Sequence, residues 1–325
     1  MDGNLTERIA MRELNDSDWL RRIEDIGETE GYFEPLGRRH SALFADRGPV
    51  LLVSFETHAT IRAREDAQLP LGFTVAEAAG HSSLTLIADR ETWFRDRAVY
   101  AYFDRLVDEA FFEDFDRVVF FGAGSCGYAA AAFSVAAPGA TVIALAPQAT
   151  LDPRLTGWDE RFREMRRTSF TDRYGFAPDM LEGVGTGFVI FDPEVTPDAM
   201  HAALFARPFV TLLPCRGLGP HVEMLLSEMD VLETMLQQAC AGQFGAAEFW
   251  RLYRARRNAP RYLRHLAQKL ASGGQIWREA LVCRNVAERL NGPRFRNRLV
   301  RLEEQLAEQG RALPARSTLA TASDA

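Results

Sequence analysis

Residues 117–133 read RVVFFGAGSCGYAAAAF, and this stretch decides the fold. The run 117–121 is aromatic and β-branched, which predicts a buried strand. Small residues follow at once, and the alanine-rich segment 125–137 then predicts a helix that ends before Pro138. A strand, a tight turn and a helix therefore succeed one another without a gap.

Apolar runs of the same kind recur on both sides of this stretch. They are continuous rather than alternating, which is typical of strands buried on both faces of a parallel sheet that helices cover. The runs 40–46 and 50–55 flank an Asp-Arg-Gly-Pro turn and predict a β-hairpin. We therefore expect a doubly wound, mostly parallel α/β sheet, whose further predicted strands are 83–88, 117–121, 141–145, 187–191 and 208–213.

The remaining segments differ in composition. An amphipathic helix is predicted at 17–28, and no strand pattern follows residue 243. The excursion 150–182 is predicted to be either a lid over a site or an ordinary connecting segment. The predicted domains are an N-terminal helical segment (1–39), the α/β domain (40–242), a basic α-helical appendage (243–313) and a disordered tail (314–325).

The composition is that of a globular protein. The chain has 325 residues, a net charge of −7 and four scattered cysteines without metal-ligand spacing, so we expect a reduced, cytoplasmic protein with no metal and no cofactor. No apolar run is long enough for a membrane span, and the first residues lack the apolar core of a signal peptide. The segment 243–313 carries 15 basic and 6 acidic side chains, which suggests a protein partner.

Arginine is a weak indicator of nucleic-acid binding in this chain. Of the 38 basic residues only Lys269 is a lysine, a bias that points to a coding preference rather than to phosphate contacts. We therefore expect no nucleic acid among the partners.

The turn after the central strand matches a relaxed G-x-S-x-G nucleophile elbow, read from Ala123 to Gly127 with Ser125 at its centre. Such a turn is cramped, so side chains two residues before and after the nucleophile would collide with the neighbouring strand and helix. The following helix would aim its N-terminus at the site, and the backbone N–H of Cys126 would donate to an oxyanion.

With these residues in view, the sequence resembles the α/β-hydrolase superfamily. The stretch Gly-Ser-Cys-Gly-Tyr-Ala-Ala from Gly124, followed by Ala-Leu-Ala-Pro-Gln from Ala144, is similar to a bacterial branch linked to surface-polysaccharide biosynthesis and accessory secretion. The resemblance covers the segment 40–235. This chain lacks the doubled glycine of that pattern, and Ala146 replaces the serine before Pro-Gln.

The resemblance implies a catalytic triad in the order serine, acid, histidine. Ser125 would be the nucleophile, Asp192 the acid that follows strand 187–191, and His221 the base in the next glycine-rich loop. A second oxyanion donor would come from the loop after an earlier strand, where Phe55, Glu56 and Thr57 are the candidates. The HGGG element of many esterases is absent, which argues against robust ester hydrolysis.

Several alternatives stay open. Gly122, Gly124 and Gly127 also fit the dinucleotide motif G-x-G-x-x-G, although several strands precede them and no acidic residue ends the next strand. Asp198 and His201 are second candidates for the acid and the base. Each of these residues also has an ordinary structural interpretation.

Two functions follow from these patterns. The first is a serine hydrolase or acyltransferase that acts on a small-molecule or glycan-linked acyl substrate, in surface-polysaccharide metabolism if the resemblance extends so far. The second is a non-catalytic hydrolase-fold binding or scaffold protein. A phosphoadenosine phosphosulfate reductase has no motif support, because no Ser-Gly-Gly-x-Asp-Ser loop is present and no Cys-Gly-x-His element surrounds Cys283.

Overall fold

The computed structural model describes residues 11–64 and 68–314. They form two compact units, one ending at Tyr253 and one beginning at Arg254. None of the helices in these residues has both the length and the apolar character needed to span a membrane.

The first unit is built on an eight-stranded sheet in the order β1-β2-β4-β3-β5-β6-β7-β8. The pairings of β1 with β2 and of β2 with β4 are antiparallel, and the others are parallel. Each strand predicted above is present, with ends shifted by at most two residues. The bounds are β1 (Gly31–Leu36), β2 (His40–Ala45), β3 (Val50–Thr57), β4 (Ser82–Ala88), β5 (Arg117–Ala123), β6 (Thr141–Leu145), β7 (Thr186–Phe191) and β8 (Val210–Pro214).

Helices connect these strands and continue beyond them. In chain order they are α1 (Asp16–Glu30), α2 (His58–Arg62), α3 (Leu71–Ala78), α4 (Arg97–Asp108), α5 (Ser125–Phe133), α6 (Pro153–Thr156), α7 (Thr196–Leu204), α8 (Val222–Ser227), α9 (Val231–Cys240), α10 (Ala246–Leu252), α11 (Pro260–Ser272), α12 (Ile276–Arg289) and α13 (Pro293–Glu308).

Helices cover both faces of the sheet because successive strand residues point to opposite sides. On β2, Phe44 lies in the core that α4 and α5 also line. Leu43 and Ala45 instead lie with Trp19 of α1 and Phe73 of α3. The fold class predicted from the sequence, a doubly wound and mostly parallel α/β sheet followed by C-terminal helices, is confirmed.

The predicted hairpin between 40–46 and 50–55 is wrong. Strand β4 lies between β2 and β3, so the two runs are not neighbours. The actual hairpin joins β1 to β2 through a turn with Gly37 at φ +72°. Strand β1 escaped prediction because Pro35 interrupts its pattern, and a proline is tolerated on the edge strand that β1 forms.

The excursion 150–182 packs on the sheet as a fixed segment. Phe170 and Leu181 are buried in the same core as α4 and α5. The buried Arg95 side chain donates to the backbone oxygens of Ser169 and Arg173 and pairs with Asp172. These contacts favour the connecting-segment interpretation over a lid.

The second unit has its own small core. Ala280 and Cys283 of α12 pack against Leu302 and Leu306 of α13. Helix α10 lies before this unit, although the sequence-based division placed it in the helical appendage. Phe244, just ahead of α10, packs edge-on against Phe188 of β7 at 4.8 Å between ring centroids.

Candidate functional site

The turn from β5 into α5 lies at the carboxyl edge of the sheet, where open parallel sheets bind ligands. Gly124 connects the two elements with φ +58° and ψ −122°, a conformation that other residues rarely adopt. A Cβ atom added there would find nothing within 4 Å. At Gly122, by contrast, an added Cβ would lie 2.2 Å from the carbonyl oxygen of Cys126.

The strained apex of this turn is therefore Gly124, one residue before the predicted nucleophile. Ser125 is the first residue of α5, and it is 3% exposed. Gly122 is the position at which a side chain would clash. The sequence pattern instead predicted Ala123, one residue later, as the first small position of the elbow. The steric pattern of an elbow is present, but it is centred on a residue without a side chain.

The Ser125 hydroxyl has a partner that the sequence analysis did not identify. It donates a hydrogen bond to the carboxylate of Glu91, and its oxygen lies 3.9 Å from the thiol sulfur of Cys126. Glu91 is exposed and belongs to the loop that follows β4. Its position just after a predicted strand, beside Asp89 and Arg90, is the signal that could have marked it as a carboxyl-edge residue.

The buried Asp192 carboxylate serves the backbone. It follows β7, as predicted, and is 1% exposed. One oxygen accepts from the N–H of Glu194 at 2.9 Å, and the other accepts from Gly217 at 2.9 Å and Gly219 at 2.6 Å. This carboxylate fixes the glycine-rich loop that leads to His221.

His221 stands at the N-terminal end of α8 with an exposed side chain. Within the described ranges, no hydrogen bond joins it to Ser125 or to Asp192. The structure thus brings all three predicted triad residues to the carboxyl edge but does not connect them, and their catalytic role stays a prediction.

The predicted oxyanion positions differ in what they do. Phe55 is buried in β3, opposite Leu86, and its ring packs against Phe94 at 4.9 Å. The buried Glu56 carboxylate accepts from the N–H groups of Leu71 and Gly72, both at 2.9 Å, and so caps the start of α3. The described residues offer no acceptor for the backbone N–H of Cys126, so the first oxyanion donor is free.

Carboxylates dominate the electrostatics of the edge. Arg64 lies 3.0 Å from Glu223 of α8 and 3.6 Å from Glu56. Burial raises the pKa of Glu223, and the charges of Glu56 and Glu91 add to this effect while Arg64 opposes it.

The environment of the Cys126 thiol disfavours its thiolate. Burial and the charge of Glu91 raise the pKa of this thiol well above the ordinary value. Among the described residues no group of three His, Cys, Asp or Glu side chains could hold a metal ion.

The second candidates for acid and base, Asp198 and His201, are buried side chains of α7 and form a separate cluster. His201 Nδ1 accepts from the backbone N–H of Ala149 at 3.1 Å, so Nε2 carries the proton and donates to Asp159 at 3.0 Å. Arg161 bridges Asp159 and Asp198 at 2.8 and 2.7 Å. These contacts join the excursion 150–182 to α7, and His201 also joins α7 to the loop after β6.

Comparisons with known proteins find similarity in structure alone. No protein-family model and no curated protein matches the chain. The similar structures include a capsule O-acetyltransferase of Neisseria meningitidis serogroup A (9% identity, 62% of this chain and 94% of that chain, TM-score 0.41). They also include a Pyrobaculum calidifontis esterase (14%, 75% and 95%, 0.41) and carboxyl esterase 2 from Tuber melanosporum (11%, 65% and 85%, 0.43).

At such low identity and TM-score, these structures assign neither a family nor a residue role to this chain. The function has to be argued from the site itself.

Proposed function

We propose that this chain is a non-catalytic binding protein built on a hydrolase-type α/β sheet. The observation that carries the proposal is the glycine at the apex of the β5–α5 turn. A nucleophile in such a turn is held out over the site by its strained backbone. Here that backbone belongs to Gly124, and the neighbouring hydroxyl of Ser125 lies in the first turn of the helix.

The other triad residues support this proposal. A general base must come within hydrogen-bond reach of the proton that it removes. His221 has no such contact with Ser125, and three backbone N–H groups already occupy the carboxylate of Asp192. The Asp192 carboxylate therefore holds the glycine-rich loop that contains Gly217 and Gly219.

The charge of the site indicates which ligands it would accept. Glu56, Glu91 and Glu223 surround the turn, and Arg64 compensates only part of their charge. These carboxylates would repel an anionic ligand that binds at the turn, whereas they would not repel a neutral or cationic one. A neutral, acylated small molecule or glycan meets this requirement.

A second candidate function is the serine hydrolase or acyltransferase predicted from the sequence. One contact favours it, because the Ser125 hydroxyl donates to a carboxylate that could take its proton. The free N–H of Cys126 would then stabilise the oxyanion. In this mechanism Glu91 replaces His221 as the base, unless His221 and Asp192 rearrange when substrate binds.

Labelling with a fluorophosphonate probe distinguishes the two candidates. We expect no covalent label on the natural chain, as on its Ser125→Ala variant. In parallel, ligand-observed NMR with an O-acetylated oligosaccharide should show binding without release of acetate. Labelling or acetate release that Ser125→Ala abolishes and Glu91→Gln reduces would overturn the binding proposal and establish the enzyme.

The basic helices are a separate proposed interaction surface. Arg294 and Arg301 are exposed on α13, while its apolar side chains face the small core of the second unit. We expect them to contact an acidic protein partner through charge complementarity.

A further inference from the structure

The loop that follows β4, residues 89–96, reaches across the carboxyl edge of the sheet, and we name it the edge loop. Strand β3 lies between β4 and β5, yet Glu91 of this loop contacts Ser125 after β5. Trp93 reaches still further and donates from Nε1 to the side-chain oxygen of Gln148 after β6, at 3.0 Å.

The backbone of the edge loop is firmly anchored. Trp93 and Phe94 both have positive φ angles, 52° and 53°, which bulky residues rarely adopt. Such strain persists only where the surroundings hold it in place. Here both rings are fully buried, and the guanidinium of Arg95 is fixed by the excursion 150–182.

Glu91 differs from the three residues that follow it. Its side chain is exposed, as are those of Asp89 and Arg90, and its hydrogen bond to Ser125 joins it to the turn. The space over the adjacent Gly124 is open. A ligand that enters this space and needs the Ser125 hydroxyl as a donor must therefore first displace the Glu91 carboxylate.

We propose that Glu91 is an autoinhibitory plug, whose carboxylate holds the Ser125 hydroxyl and closes the carboxyl-edge site until a ligand displaces it. This inference rests on the proposed function, because it takes the carboxyl edge to be the ligand site. The backbone of the edge loop stays in place, so only the Glu91 side chain has to move.

The plug can be tested without any substrate. A Ser125→Cys change in a Cys126→Ala background places a thiol at the position that Glu91 contacts. The rate at which this thiol reacts with methyl methanethiosulfonate measures how accessible the side chain at position 125 is. Glu91→Gln removes the charge, which alone raises the thiolate fraction, but keeps an acceptor over the site. Glu91→Ala removes both, and Glu113→Ala, on an exposed turn, is the control for loss of a distant charge.

We expect the Glu91→Ala chain to react about fivefold faster than the Glu91→Gln chain, since a neutral hydrogen bond is worth about 1 kcal/mol. Equal rates would overturn the plug, and so would a fast reaction with Glu91 intact. If the Ser125→Cys, Cys126→Ala chain does not fold, faster amide exchange at residues 125–127 in Glu91→Ala alone serves as the measurement, and unchanged exchange overturns the plug. The fluorophosphonate result bears on the proposed function, whereas these rates bear on the plug.

Discussion

Two groups of residues in this molecule contain an aspartate and a histidine and so suggest a catalytic role. Each group has one feature of a catalytic site and lacks another. At the carboxyl edge, Ser125, Asp192 and His221 have the expected order along the chain, but no hydrogen bond connects them. Beside α7, Asp159 and His201 are hydrogen-bonded as an acid–base pair should be, but both side chains are completely buried.

The comparison shows that residue type and chain order do not make a catalytic group. The partner of the His201 imidazole is a backbone N–H rather than a nucleophile, so the pair serves to fix a segment. At the carboxyl edge the His221 side chain is exposed, yet the Asp192 carboxylate accepts from backbone N–H groups instead of from the imidazole. Three predictions test this division of roles.

The largest expected effect is on stability, from changing the buried histidine. His201→Ala leaves the Asp159 carboxylate and the Ala149 N–H without this partner, and we expect the free energy of unfolding to fall by about 2–4 kcal/mol, since each unsatisfied buried group costs about 1–3 kcal/mol. His221→Ala, on an exposed side chain, should change it by less than about 0.5 kcal/mol. Urea denaturation measures the free energy of unfolding of both variants. Similar decreases in the two would contradict the proposed difference between the two groups of residues.

The second prediction concerns acid. Burial alone raises the pKa of Asp159, but hydrogen bonds from His201 and Arg161 outweigh it and hold the pKa well below its ordinary value. A depressed pKa contributes stability that is fully present above the unfolded value, near 3.8, and is lost as the pH falls below it. Asp159→Asn should therefore cost on the order of 2 kcal/mol at pH 6.

This difference between the natural chain and Asp159→Asn should narrow as the pH is lowered from 5 to 2.5. Denaturation curves at several pH values check it. If the difference in the free energy of unfolding between the two chains stays constant or grows on acidification, the charge of Asp159 is not what stabilises the cluster.

The smallest expected effect tests the strained apex. Gly124→Ala should lower the free energy of unfolding by about 1–2 kcal/mol, because alanine is strained at φ +58° even though space is open there. Gly183→Ala is the matched control, with equally open space and no positive φ. If the two variants are equally stable, Gly124 does not carry the strain of the elbow.

Much of the fold could be predicted from the sequence, because continuous apolar runs between helical segments leave few arrangements other than a covered parallel sheet. The stretch 117–133 indicated the strand, turn and helix correctly. The pairing of the strands 40–46 and 50–55 could not be read, since the strand that separates them comes later in the chain. Neighbours in a sheet are settled by contacts between distant segments.

For the site, the sequence indicated the edge of the sheet where Ser125, Asp192 and His221 lie, but not their partners. Glu91 reaches Ser125 across an intervening strand, and the amides of Gly217 and Gly219 meet Asp192 only once their loop has folded. No local spacing encodes such contacts. The elbow was predicted with Ser125 at its centre, whereas the strained apex is Gly124, because several small residues in a row permit more than one centre.

The apolar periodicity of the chain thus specifies the layers of the fold and the edge of the sheet at which polar side chains gather. Which backbone residue bears the strain of the turn, and which carboxylates are already hydrogen-bonded, depends on contacts that form on folding. The physical reason is that apolar patterning acts locally along the chain, whereas hydrogen-bond partners and backbone strain depend on segments that meet only after folding.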